Sequence, residues 1–161
     1  MLLPDMPPDV RFHLLSRTEE ALRFTFEAKR QALGPYVVER WGWDEALQRR
    51  THQARFDEKP FFAIVLDGRP VGTVSVMRFD DHIRFGEFYL FPDSQRRGLG
   101  SRVLRHCLSL ADAHGLPVRL EHLKWNPVGT LYRRHGFAVV GETEIHLLME
   151  RTPATPPAAS R

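Results

Sequence analysis

The residues best suited to chemistry stand at Gln95-Arg96-Arg97-Gly98-Leu99-Gly100-Ser101, between an apolar strand pattern and a helical one. Two glycines in such a turn let the backbone bend sharply and keep side chains out of the approach path. The first-turn amides of the following helix then point outward without partners. Together with the helix dipole they make an anion site suited to a pyrophosphate. Arg96, Arg97 and Arg102 can add charge for further phosphates. Two other phosphate loops fail: no Gly-x-x-x-x-Gly-Lys-Ser/Thr is present, and Val103 stands where a dinucleotide fingerprint needs a third small residue. The glycines could also serve only a tight strand-to-helix turn.

Glu87 is the second candidate. It lies in an apolar and aromatic strand between Phe85 and Tyr89. A carboxylate there is expected to have a raised pKa and to serve as a general base, directly or through water. The alternative is a strand-edge acid that faces solvent or pairs with Arg84 or another arginine. His122 falls on a core-facing strand position and reads as a buried neutral histidine with a backbone partner. Cys107 lies on an apolar helical stripe and reads as a small core residue. The eight histidines show no metal-ligand spacing, so no metal is expected.

The elements that must position these residues can be traced along the chain. Val10–Leu15 reads as a strand. Ser16 with Glu19 has capping-box spacing for a helix through about Leu33, which Gly34-Pro35 should end. Tyr36 to Trp43 then reads as a connection, and Asp44 as the cap of a second helix to about Phe56. Phe61–Leu66, the Asp67-Gly68 turn and Pro70–Phe79 form a hairpin, followed by a strand from His82 to Phe91. Leu99, Val103, Leu104, Cys107, Leu108 and Ala111 mark one helical stripe, and Gly115 ends that helix. Val118–Trp125 is a strand, Pro127–His135 a short helix, and Phe137–Val140 with Thr143–Glu150 a closing pair. This predicts a mixed α/β domain with a twisted, mostly antiparallel sheet of six to seven strands and about four helices. Residues 1–9 and 152–161, rich in proline, read as flexible tails around a single domain over residues 10–151.

Composition narrows the class. In 161 residues, 42% are hydrophobic and 27% charged, which suits a chain that buries a core. The longest apolar run, Phe61 to Leu66, falls far short of the roughly 20 residues that span a bilayer. One cysteine leaves no internal disulfide, and the first nine residues hold no basic residue, so the cytoplasm is the expected compartment. The net charge of +3 is modest and scattered, which favours an anionic small ligand over nucleic acid.

With Leu90-Phe91-Pro92 before it, Gln95-Arg96-Arg97-Gly98-Leu99-Gly100 resembles the signature of the GNAT superfamily of N-acetyltransferases. A second block resembles the same family: Asn126, then Leu131-Tyr132-Arg133-Arg134-His135-Gly136-Phe137. The resemblance covers about residues 10–150. It implies acetyl transfer from acetyl-CoA to an amine, direct in a ternary complex, without an acyl-enzyme. It implies that the amides from Arg96 to Ser101 cradle the CoA pyrophosphate. The backbone of Tyr89, Leu90 and Phe91, at a bulge that splays the strand, would pair with the pantetheine arm, with the Leu90 amide as a donor to the carbonyl. Asn126 would bond the pantetheine or hold its loop. Tyr132 would be the acid that protonates the departing thiolate, or else an aromatic that packs the helix on the sheet. Tyr36, Trp41 and Trp43, in the region that commonly shapes the family's acceptor site, would wall a small organic amine, or else serve packing or a dimer contact. His146 could face that pocket as an auxiliary base. Alternatives are a longer acyl donor, a protein or peptide amine, or a CoA-binding sensor without turnover. A homodimer through the last strands is a common family arrangement.

Overall fold

A computed structural model describes residues 1–154; residues 155–161, in the second expected tail, lie outside the described part. Its contacts group into two compact units, residues 1–77 with 85–100 and residues 78–84 with those from 101 onward.

In the first unit, β1 (Val10–Leu14), β2 (Phe62–Leu66), β3 (Arg69–Arg78, except its last residue) and the 85–90 part of β4 (Ile83–Leu90) carry α1 (Glu19–Trp41) and α2 (Glu45–Glu58). β1 pairs antiparallel with β2 from Val10 opposite Leu66 to Leu14 opposite Phe62, and β2 pairs antiparallel with β3. Asp67 and Gly68, with φ of 49° and 80°, make the hairpin turn in the left-handed geometry that suits strand twist. Ile64, Val74 and Val76 are fully enclosed; β2 runs apolar on both faces, while β3 buries Thr73 and Ser75 on the face opposite Val74 and Val76. Residues 1–9 are tied down: Leu3 is buried, Met6 bridges Val10, and Asp5 accepts from the Phe12 amide at 3.0 Å.

α1 departs from expectation at both ends. Its cap is Thr18, not Ser16: the Thr18 hydroxyl accepts from the Ala21 amide at 3.1 Å, and Glu19 and Glu20 fill the first turn. At the other end the helix passes through Gly34-Pro35 and runs to Trp41, so Tyr36 to Trp41 is helix and not a connection. Pro35 removes the hydrogen bond to the Gln31 carbonyl, yet Val37 is buried and Gly34 lies against the Trp43 ring, and this packing carries the helix past the missing bond. Asp44 caps α2 as expected, accepting from the Leu47 amide at 3.0 Å.

The second unit takes in α3 (Leu99–Ala113, except its first two residues), β5 (Val118–Leu123), α4 (Gly129–Arg134), β6 (Ala138–Glu142) and β7 (His146–Arg151). All six stripe residues of α3 are buried, as the helical spacing requires. β5 pairs antiparallel with β7, and β7 with β6. Ile83 and Arg84 of β4 pair in parallel with Val118 and Arg119 of β5. Along the ladder the seven strands follow the order β1-β2-β3-β4-β5-β7-β6. This is the expected mixed α/β architecture, with four α-helices among the described residues. Among the described residues no helix is long and apolar enough to cross a membrane.

Candidate functional site

β4 hands the chain to the phosphate-type loop. The Phe91 amide donates to the Val71 carbonyl at 2.9 Å, and the Gln95 side-chain amide donates to the Leu90 carbonyl at 2.8 Å. Pro92–Ser94 form one 3-10 turn. Arg96 and Gly98 then both take left-handed backbone, with φ of 62° and 78°, before α3 begins at Leu99. Left-handed backbone at 96 and again at 98 turns the chain sharply between β4 and α3. A β-carbon on Gly98 would point into open space, where nothing lies within 4 Å. The loop is therefore held at its base by Gln95 and open at its rim, and the first turn of α3 adds amides that no helical carbonyl can reach.

One strand back, Gly72 of β3 lets the backbone of β4 come close. A β-carbon there would stand 2.2 Å from the Tyr89 carbonyl and 2.9 Å from the Leu90 side chain. Sequence reading assigned this glycine no role. It sets where Tyr89 and Leu90 sit, hence where the loop starts.

Glu87 is buried, as its apolar strand suggested, and its backbone is left-handed, with φ of 47°. A non-glycine residue in this conformation inside a strand is the mark of a bulge and of strain held by its surroundings. The Thr73 hydroxyl donates to the Glu87 carbonyl at 2.8 Å and pins it. Lys59 Nζ lies 3.1 Å from Glu87 Oε1 and Arg55 Nη1 lies 3.8 Å from the same oxygen, while Oε2 is buried without a hydrogen-bond partner. The expected rise in pKa is corrected here. Burial does oppose the charge, but Lys59, Arg55 and Lys29 outweigh it, and the carboxyl stays below its ordinary range. The partners are a lysine of the loop after α2 and an arginine of α2, in place of the Arg84 considered from sequence. Arg84 instead lies 4.0 Å from Glu121.

The two helices of the first unit bury three polar residues, Thr25, Lys29 and His52. His52 takes a hydrogen bond of 2.8 Å with Thr25 Oγ1, sits among the Phe26, Phe56 and Phe61 rings, and leaves Nδ1 without a partner. Burial, then the Lys29 charge, push its pKa down to about 4, so it is neutral. Lys29 is 2% exposed. Burial first, with Arg55 next, pushes its amine down to about 8. Sequence reading missed Lys29 and His52, although a signal existed. Both occupy helix positions where the 3.6-residue period calls for an apolar side chain, Lys29 four after Thr25 and His52 four before Phe56.

In the second unit, Asn126 Oδ1 accepts from the Val128 amide at 3.1 Å and so fastens the turn into α4. Tyr132 on α4 is buried, with its ring 6.0 Å from His122 and 5.6 Å from Phe137. Burial raises its pKa, so the phenol keeps its proton. His122 is the buried neutral histidine expected: its Nδ1 bonds the Leu123 carbonyl at 2.8 Å, and burial lowers its pKa. His146 is half-buried at the start of β7, opposite Leu123. Cys107 is buried and pushed up to about 12, which leaves it a core residue.

The aromatic candidates separate. Trp41 is 53% exposed at the end of α1, and Tyr36 is half-buried one turn earlier. Trp43 packs 6.2 Å from Phe26 and donates to Glu45. It lines a cavity of about 480 Å³ with Gly34, Pro35 and Val38. A second cavity, of about 420 Å³, is lined by Arg23, Phe24, Phe26, Glu27, Arg49 and Phe91. Among the described residues no group of three His, Cys, Asp or Glu side chains could hold a metal.

The chain thus carries a seven-stranded mixed sheet whose fourth strand leads through a glycine-containing loop into a helix. The profile of the acetyltransferase (GNAT) family matches residues 17–137, three quarters of the sequence, and the chain belongs to that family of acetyltransferases. No curated protein matches it. Among solved structures it is similar to a PaiA N-acetyltransferase from Thermoplasma acidophilum in complex with coenzyme A. That match has a TM-score of 0.71 and 17% identity, over 89% of this chain and 98% of the other. It is also similar to the ribosomal-protein-S18-alanine N-acetyltransferase of Escherichia coli, with a TM-score of 0.64 and 16% identity, over 94% of this chain and 99% of the other. At these identities the likeness concerns the fold.

Proposed function

We propose that the protein transfers an acetyl group from acetyl-CoA to the amine of a small molecule. The observation that carries this reading is the loop from Gln95 to Gly100, with its left-handed pair and its open rim at Gly98. A pyrophosphate needs convergent N–H donors and room for its oxygens, and this loop offers both. The residues thus fit coenzyme A: the amides from Arg96 to Ser101 would hold its phosphates, and the backbone of Tyr89, Leu90 and Phe91 its pantetheine. Asn126 keeps the α4 turn in shape beside its own strand. When bound, the thioester supplies an activated acyl group.

The roles of the side chains follow from their proton states. An amine acceptor arrives as an ammonium and must lose a proton to attack. Glu87 is ionised at neutral pH, so Oε2 can receive the ammonium N–H and pass the proton on, at the cost of weak basicity. Tyr132 is protonated at any working pH, so its hydroxyl is the proton donor to the departing sulfur. Direct transfer asks for no nucleophile, which agrees with the inert Cys107. The cavity of about 420 Å³ is of a size for a small organic acceptor.

The test is acetyl-CoA-dependent release of free thiol across a panel of amino acids, polyamines, aminoglycosides, aryl amines and lysine peptides. Release with a small-molecule amine, lost in Gly98→Val, is the expected result. Release only with peptides would overturn the acceptor class, and release with none would overturn transfer itself.

A further inference from the structure

Three consecutive residues of β3, Val71-Gly72-Thr73, hold the last part of β4, and both stretches lie in the first unit. The register of β3 on β2 passes from Gly72 opposite Ile64 to Pro70 opposite Val65, so Val71 is an extra residue in that ladder. An extra residue bends its strand and re-aims the backbone groups beside it. Here the Val71 carbonyl accepts from the Phe91 amide at 2.9 Å. Gly72 comes so near β4 that a β-carbon on it would meet the Tyr89 carbonyl oxygen at 2.2 Å and the Leu90 Cα at 3.0 Å. Thr73 completes the row, its hydroxyl donating to the Glu87 carbonyl at 2.8 Å.

Thr73 is the member of the row whose chemistry packing does not explain. It is fully buried, opposite Ala63 of β2. Valine has the same branched shape and brings no polar atom to be satisfied, so filling space gives no reason for a hydroxyl there. The reason lies at the other end of the bond. Glu87 has φ of 47°, a conformation that a non-glycine residue keeps only where its surroundings over-determine it. Two bonds do so here, one on the backbone and one on the side chain. Thr73 holds the carbonyl, and Lys59 Nζ holds Oε1 at 3.1 Å. With only two soft dihedrals per residue, a relaxation at Glu87 passes directly into Phe88, Tyr89 and Leu90. Phe91 is tied to Val71 without help from Thr73, and the loop with Arg96 and Gly98 begins beyond it.

We propose that Thr73 is a positioning residue for acetyl-CoA: by holding the left-handed bulge at Glu87 it aims the backbone of Tyr89 and Leu90 at the pantetheine arm, with Lys59 as the second hold. This rests on the acetyl-transfer reading above and deepens it by naming residues that set the pantetheine segment from outside it. The loss of Thr73's hydroxyl therefore falls on the pantetheine half of the ligand and spares the phosphate half.

The test compares two ligands by calorimetry: acetyl-CoA, and 3′-phospho-ADP, which is the nucleotide half of coenzyme A without pantetheine. In Thr73→Val the Kd for acetyl-CoA is expected to rise about tenfold, the worth of one buried hydrogen bond, while that for 3′-phospho-ADP keeps its wild-type value. Thr73→Ser, which restores the hydroxyl, is expected to return the acetyl-CoA value to that of wild type. Urea unfolding of each variant separates a loss of fold from a loss of position. A Thr73→Val protein that is less stable but keeps the wild-type ratio of the two Kd values overturns the proposal, and acetyl transfer stands. Equal weakening of both ligands overturns it too, since a purely structural role would do the same. If wild type binds neither ligand, or binds acetyl-CoA no more tightly than 3′-phospho-ADP, the acetyl-CoA reading falls and this proposal with it. Should Thr73→Val fail to fold, the same ratio measured in Lys59→Met decides.

Discussion

Replacing Lys29 with methionine should make the protein more stable, and the amount can be worked out from its surroundings. Lys29 is 2% exposed and its amine titrates at about 8, against 10.5 for a free lysine. At about 1.4 kcal/mol for each tenfold change, holding the proton in the folded state costs about 3 kcal/mol. The sign follows from proton counts. Between pH 8 and 10.5 the unfolded chain binds more protons than the folded one, so stability rises with pH across that window. Below pH 8 the amine is charged in both states and the whole cost is present. Methionine keeps the length of the stem and carries no charge, so Lys29→Met should gain about 3 kcal/mol at pH 7, roughly 6 to 12 °C in melting temperature for a chain of this size. The gain should shrink between pH 8 and 10.5 and vanish above it. The attraction to Glu87 is already contained in the titration point. Urea unfolding followed by tryptophan fluorescence at pH 7 and pH 10.5, with both proteins side by side, measures the difference. A variant less stable than wild type at pH 7, or one whose advantage is the same at both pH values, would refute the reasoning.

Gly98→Val should raise the Kd for CoA at least tenfold in calorimetry, since a branched side chain strains at φ of 78° and projects toward the phosphates. Tyr132→Phe should lower kcat by about a hundredfold while the Kd for acetyl-CoA stays unchanged, and a wild-type rate would remove the phenol as acid. Thr18→Ala should cost about 1 kcal/mol in urea unfolding, as the loss of an N-cap does. His52 titrates at about 4 in the fold, against 6.5 when free, so wild type should lose stability as pH falls from 6.5 to 4; His52→Gln should flatten that limb of the profile.

The parts of the molecule visible in sequence are those whose signals are local. The six-residue stripe of α3 is a repeat that only a half-buried helix satisfies, and Asp67-Gly68 between apolar runs admits little but a hairpin. The anion loop is legible for the same reason, because glycine at position 98 reports a backbone angle directly. What escaped depends on distant partners. Gly34-Pro35 is a strong local stop, overruled by Trp43 packing on Gly34 from beyond the helix. Glu87 showed its burial through its neighbours in β4, but the direction of its pKa is set by Lys59, Arg55 and Lys29, which lie 28 or more residues away in sequence. No window along the chain contains them all.

Pro35 leaves α1 continuous in shape but not in cooperativity. Helical segments open as units whose borders fall where the hydrogen-bond ladder is broken, and the missing bond to Gln31 is such a border. In the turn and a half beyond it, Tyr36 to Trp41, Val37 is buried while Val38 and Trp41 are about half exposed. Opening of that turn would leave in place the hydrogen bonds of α1 on the Lys29 side of the border. A helix so divided could lose its last turns without breaking the ladder around its charged interior, which an uninterrupted helix could do less readily.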